Sequence, residues 1–205
     1  ITPQNLAQHI TAKSKAILLN SPNNPTGAVY TPESLDAVYQ VAKEKNLFVL
    51  CDDVYAQLVY GPYQSFSRYQ DIREKIILIQ SFSKPYAMTG WRMGYLCADR
   101  PVIEQLAKLH SYTVVSAVSF LQKGCAAALD YDPSPMVETS RRRRDYMYGR
   151  LVEMGMEVQK PQGAFYLFPS IQKYGMDSET FCLRMIQEAK LAAVPGSCFG
   201  ADGYI

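Results

Sequence analysis

The side chains most able to do chemistry fall in four short stretches of this 205-residue sequence. They are Asn24 in SPNNPTG, Asp52 and Tyr55 in DDVY, Ser81, Ser83 and Lys84 in SFSKP, and Arg92 in GWRMGY. An amine such as Lys84 is a nucleophile once activated. A guanidinium such as Arg92 offers a planar fork to a phosphate or carboxylate. The first three stretches each follow an apolar run that reads as a buried strand: AILLN, LFVLC and KIILIQ. In doubly wound sheets, ligands bind in the crevice at the carboxyl ends of the strands. Three consecutive strand exits bearing Asn, Asp with Tyr, and Ser, Ser, Lys therefore point to one shared site.

The elements that must position these residues follow from pattern. Strands are expected at 16–20, 47–51, 75–80 and 93–98. Thr31-Pro32-Glu33 is a helix start, with a capping hydroxyl, a proline at the first helical position and an acid in the first turn. Leu35, Val38, Tyr39 and Ala42 form that helix's apolar stripe. Continuous apolar strands separated by helices predict a mainly parallel sheet covered on both faces. Helices follow near 101–109, 116–128 and 135–153. Beyond Gly155, 156–159 and 164–168 are expected to be strands of a smaller unit, and 178–190 a helix. The division is thus a large α/β unit over 1–150 and part of an α+β unit over 151–205.

Composition excludes several classes. Lys and Arg total 21 against 19 Asp and Glu, a net charge of +2 that does not mark a nucleic-acid binder. The run Arg141 to Arg144 points all around a helix and has acids nearby, so it reads as a solvated, ion-paired face. Five widely spaced cysteines with no CxxC motif and only two histidines leave no metal site and suit a reducing cytoplasm. No apolar run approaches the roughly 20 residues a membrane span needs, and the first residues lack the apolar core of a signal peptide. The chain is read as part of a longer protein.

SPNNPTG, DDVY and SFSKPYAMTGWRMGY, in this order and spacing, resemble the class I/II aminotransferases, the fold-type I enzymes that use pyridoxal 5′-phosphate. GAFYLF and PGSCFG resemble that family's smaller domain, so the likeness covers essentially the whole chain. Singly, the motifs have plainer readings: NNPTG as a turn, Asp52 and Asp53 as helix caps, Lys84 as a surface lysine. Together and in order they favour the family.

The resemblance implies roles. Lys84 would hold the cofactor aldehyde as a Schiff base and then shuttle the substrate's α-proton. Asp52 would keep the pyridine nitrogen protonated. Asn24 and Tyr55 would donate hydrogen bonds to the ring oxygen. Arg92, Ser81 and Ser83 would hold the phosphate. Lys84, Asp52 and Tyr55 are the implied catalytic set, and no metal is expected. The implied reaction moves an amino group between an α-amino acid, aspartate or aromatic, and a 2-oxo acid, in a cytoplasmic homodimer. Two rivals share the residues: a carbon–sulfur β-lyase, and a ligand-sensing domain of a transcriptional regulator.

Pro85 after Lys84 departs from the family's usual small or hydroxylated residue and biases Lys84 toward an extended backbone. Asn24–Pro25 is expected to be cis. The family also has a segment before the Asn motif and a substrate-binding arginine just past the PG-x-x-FG segment. Both fall outside these residues, so the chain alone is expected to be nearly inactive.

Overall fold

Alternating burial along the first two strands decides which way the sheet faces. In the computed structural model, which describes residues 1–205, β1 (Ala16–Asn20) turns Leu19 inward and leaves Leu18 68% exposed. β2 (Phe48–Asp52) buries Val49 and Cys51 completely on that same inner face. With β3 (Ile76–Ser81) and β4 (Gly94–Cys97) they form one sheet in the order β1-β2-β3-β4.

The inner face is covered by one helix. After a five-residue helix α1 (Pro3–Ala7), α2 (Pro32–Glu44) begins where expected: the Thr31 hydroxyl accepts from the Ser34 N–H at 3.3 Å, and Pro32 is the first helical residue. Leu35, Val38 and Ala42 pack with Leu19, Val49, Cys51 and Ile76, and Phe66, Tyr69 and Ile72 close the edge. Burying a valine such as Val38 or Val49 fully is worth about 1.5–3 kcal/mol. This cluster therefore sets the strand register that places the polar strand ends.

The sheet is mainly parallel, as expected: β1, β2 and β3 are parallel and β4 alone runs antiparallel, to β3. Two expectations need correcting. Short three-ten turns, Phe66–Arg68 and Gln70–Lys75, join β2 to β3 where a helix was expected. The sheet is covered on one face only: Leu18 on the other face and every residue of β4 are exposed.

Beyond β4 the chain is helical, as expected: α3 (Arg100–Val114), α4 (Ser119–Ala128) and α5 (Ser134–Glu153). Along α5, Arg141 pairs with Glu138 at 2.8 Å and Arg150 pairs with Glu153, the solvated ion-pair pattern. Residues 156–159 and 164–168 are not strands. Only flanking residues form bridges, and these are isolated, Gly163 with Val59 and Ser170 with Tyr204, so strand propensity has no ladder to join. The last helix, α6 (Ser178–Arg184), continues as a π turn over Met185–Ala189. No helix is long and apolar enough to cross a membrane. All five cysteines are free thiols.

Candidate active site

Asn20 and Asp52 are register partners on neighbouring strands, and Ile79 pairs with Asp52 in turn. Side chains of a strand alternate, so Asn20, Asp52, Ile79 and Ser81 share the face opposite the α2 core. The polar strand ends thus gather on the uncovered side of the sheet, at its carboxyl edge.

Asn20 organises the first exit. Its side-chain amide donates to Asp52 Oδ2 at 3.1 Å. Its oxygen accepts from the Asn24 backbone N–H at 2.9 Å and from the Asn23 amide at 3.1 Å. One residue therefore fixes both the Asp52 carboxylate and the loop that carries Asn24. The peptide bonds before Pro22 and Pro25 are both cis. Gly27 has φ +67°, and a Cβ there would lie 2.4 Å from Pro161 Cβ, so this turn accepts no side chain. The close approach is used: Gln162 and Gly163 donate their N–H groups to Gly27 O at 2.9 and 3.0 Å.

That stitching brings Phe165 and Tyr166 to the second exit. Tyr55 is buried, and its hydroxyl is hydrogen-bonded to that of Tyr166. The two rings meet edge to face at 5.6 Å. Burial pushes the Tyr55 phenol well above its ordinary pKa, so it keeps its proton and stays a donor. Asp52 Oδ1 is buried and has no hydrogen-bond partner. Buried carboxylate oxygens almost always have one, so this atom marks a place for a donor.

The third exit is the loop from Ser81 to Arg92. Phe82, Met88 and Met93 bury themselves against Cys125 of α4 and anchor it. Ser81 Oγ accepts from the Ser83 N–H at 3.0 Å, and Thr89 Oγ1 donates to Ser83 O at 3.1 Å. Residues 83–86 make a turn with Pro85 buried. Lys84 Nζ lies 5.6 Å from the Tyr55 ring centre and 5.3 Å from that of Phe165. Ala87 and Arg92 both hold left-handed backbone conformations, uncommon for residues with a side chain.

Lys84 and Ser83 line a cavity of about 480 Å³ with Phe165, Tyr166 and, from α5, Arg143 and Arg144. The structure thus brings together Lys84, Ser83 and Tyr55, with Asp52 at the adjoining strand end. Asn24 and Arg92 do not line this cavity. Asn24 borders an apolar groove on the far side of Tyr166. The Arg92 guanidinium donates to Thr89 O at 3.0 Å within its own turn. Ser81 is half-buried, its oxygen engaged by Ser83.

Asn20, Phe165 and Tyr166 were missed by motif reading. Asn20 passes as the last residue of a strand, although its place at a carboxyl end was a signal. Phe165 and Tyr166 sit in a segment separated from the others by some of the chain's longest helices.

A chemistry is available to this set. A group with a protonated ring nitrogen would satisfy Asp52 Oδ1, a ring oxygen could take the Tyr55 proton, and an aldehyde could react with the Lys84 amine. Pyridoxal phosphate has these features, so the residues fit it.

Comparison with known proteins agrees. The family profile described as "Aminotransferase class I and II" matches residues 1–205. The aromatic-amino-acid aminotransferase 2 of Thermococcus litoralis is 41% identical over 98% of this chain and 54% of its own length. The aspartate aminotransferase of Musicola paradisiaca is 41% identical over 98% of this chain and 52% of its own. Among solved structures, the aromatic aminotransferase of Pyrococcus horikoshii superposes with a TM-score of 0.94 at 37% identity, covering 100% of this chain and 57% of that one. The aspartate aminotransferase of Thermotoga maritima superposes with a TM-score of 0.92 at 38% identity, covering 98% of this chain and 53% of that one. The chain spans about half the length of the relatives it matches. By profile, identity and fold, this chain belongs to the class I and II aminotransferases, a family of pyridoxal-phosphate enzymes.

Proposed function

We propose that the complete protein carrying this chain is an aminotransferase that moves an amino group between an α-amino acid, of the aspartate or aromatic type, and a 2-oxo acid. The observation that carries this reading is Asp52 Oδ1, buried at the sheet's carboxyl edge with no partner. Bound pyridoxal phosphate would supply an electron-accepting ring that weakens the bond between the substrate's α-carbon and its proton.

The chain's residues would do the rest. Asp52, held by the Asn20 amide, keeps a proton on the ring nitrogen, because an ionised carboxylate beside that nitrogen favours its charged form. Tyr55 donates its phenolic proton to the ring oxygen. With the cofactor bound, Lys84 Nζ would hold its aldehyde carbon, the aldehyde oxygen leaving as water; once the substrate's amine had displaced it, the freed Nζ amine would remove and return the α-proton. The Tyr55 and Phe165 rings flank that amine. Ser81, Ser83 and Arg92 hold the phosphate; the Arg92 guanidinium spends one N–H on Thr89 O and keeps its other donors for it. Asn24 shares the ring oxygen with Tyr55.

We also infer a change of structural unit near residue 150, cytoplasmic location and homodimeric assembly. The free thiols support the location. The strongly exposed Tyr112 and Phe120 on α3 and α4 support the assembly.

The test is amino transfer by the complete protein, followed as glutamate formed from 2-oxoglutarate with aspartate or an aromatic amino acid. Asp52→Asn should lower the rate about 10²–10³-fold, the cost typical of removing one preorganised electrostatic partner. Pyruvate and ammonia released from a sulfur amino acid, without amino transfer, would make the protein a β-lyase instead.

A further inference from the structure

The reading above gives Tyr55 a role but leaves its closest polar neighbour unused. Tyr166 comes from the segment stitched to Gly27, far from Tyr55 in sequence, yet its hydroxyl bonds directly to the Tyr55 hydroxyl. The contact is constrained from several sides. Ala164, two residues earlier, is fully buried with Tyr55 and Leu58, and its N–H donates to Leu58 O at 2.8 Å. The Tyr166 ring meets that of Tyr55 edge to face, and the Phe165 ring packs on both. Tyr55 is buried and Tyr166 half-buried, and a hydroxyl taken out of water needs a partner.

A hydroxyl that accepts one hydrogen bond donates a stronger one, because the two polarise each other. Either hydroxyl can be the donor of this bond; when a third group accepts the Tyr55 proton, Tyr166 is left to donate to the Tyr55 oxygen. It also fixes the Tyr55 torsion that aims this proton. Resting on the proposed cofactor role of Tyr55, we propose that Tyr166 is a positioning residue: its hydroxyl orients and strengthens the hydrogen bond that Tyr55 donates to the ring oxygen of bound pyridoxal phosphate. The charged groups facing this pair are Asp52 at the end of β2, Lys84 from the loop after β3, and Arg143 and Arg144 of α5, which line the cavity Tyr166 shares.

A donor to the ring oxygen stabilises its negative charge. The nitrogen linking the ring to Lys84 then loses its proton at lower pH, and weakening the donor must move that step to higher pH. The experiment is an absorbance titration of the cofactor bound to the complete protein, unmodified and as Tyr166→Phe, Tyr55→Phe and the double variant. Phenylalanine keeps both rings, so packing is retained. The midpoint should rise by about half a pH unit in Tyr166→Phe, the scale of one neutral hydrogen bond. It should rise further in Tyr55→Phe, and the double variant should match Tyr55→Phe alone, because Tyr166 acts only through Tyr55. An unchanged midpoint in Tyr166→Phe beside a shifted one in Tyr55→Phe overturns the inference. So does a Tyr166→Phe shift that persists in the Tyr55→Phe background. A midpoint that neither variant moves removes Tyr55 from its cofactor role, and the inference falls with it.

Discussion

Asp53 carries a buried carboxylate directly beside the Asp52 that the proposed chemistry uses. Only 5% of it is exposed, and Ser65 Oγ donates to its Oδ2 at 3.3 Å. Burial pushes the Asp53 carboxyl up to about 6 from an ordinary 3.8, against the pull of hydrogen bonds from Tyr63 and Ser65. The folded state therefore binds this proton more tightly than the unfolded state does. Below about pH 4 the carboxyl is protonated in both states and costs nothing. Between about 4 and 6 the folded state holds more protons, so stability falls as pH rises, by on the order of 3 kcal/mol. Asp53→Asn should remove that decline, and chemical denaturation of both proteins across pH 4 to 7 would read it as a difference in slope. Equal slopes would show that the carboxyl ionises without penalty. The neighbouring Cys51 thiol is likewise pushed up by burial. Of the residues here, Asn24, Asp52, Tyr55, Ser81, Ser83, Lys84 and Arg92 stood out as candidates in sequence, because most of them follow apolar strands. Asn20 and Tyr166 were not, since their meaning lies in strand register and in a contact between distant segments, neither of which a single motif records.

The decisive contact at the level of elements is the one between the loop after β1 and residues 161–164. Gly163 has no room for a side chain: a Cβ there would stand 2.5 Å from Pro22 Cγ and 3.0 Å from Leu58 O. Gly163→Ala should force the two segments apart and cost about 1–3 kcal/mol by overpacking. Because that segment carries Phe165 and Tyr166, cofactor affinity should fall along with the melting temperature. Loss of stability with undiminished affinity would mean that the segment does not set the site. The strands and α2 were readable from apolar runs and from the Thr31-Pro32 start, with ends displaced by a residue or two. The antiparallel direction of β4, the helix-free link from β2 to β3 and the unpaired stretches at 156–168 were not. Direction, connection and pairing depend on what lies alongside, and composition reports only burial.

For the molecule as a whole, the site is built on the side of the sheet that these residues leave uncovered. Leu18 is 68% exposed there, and α3 and α5 bury none of their residues. One tie runs across the chain: Arg144 of α5, its side chain only 10% exposed, lies over the Tyr60 ring at 4.3 Å and donates to Pro161 O at 2.8 Å. The family was legible from order and spacing of motifs alone. The one-sided sheet was not, because an exposed strand face can carry the same apolar residues as a covered one.

The most direct measurement is a covalent trap of the proposed nucleophile. The complete protein is incubated with pyridoxal phosphate, reduced with borohydride, digested and analysed by mass spectrometry, beside Lys84→Ala treated identically. The expected result is a pyridoxyl adduct concentrated on the peptide holding Lys84 and lost in the variant. Adducts scattered over lysines such as Lys13 and Lys108, unchanged in Lys84→Ala, would contradict the assignment of Lys84 as the amine that holds the cofactor.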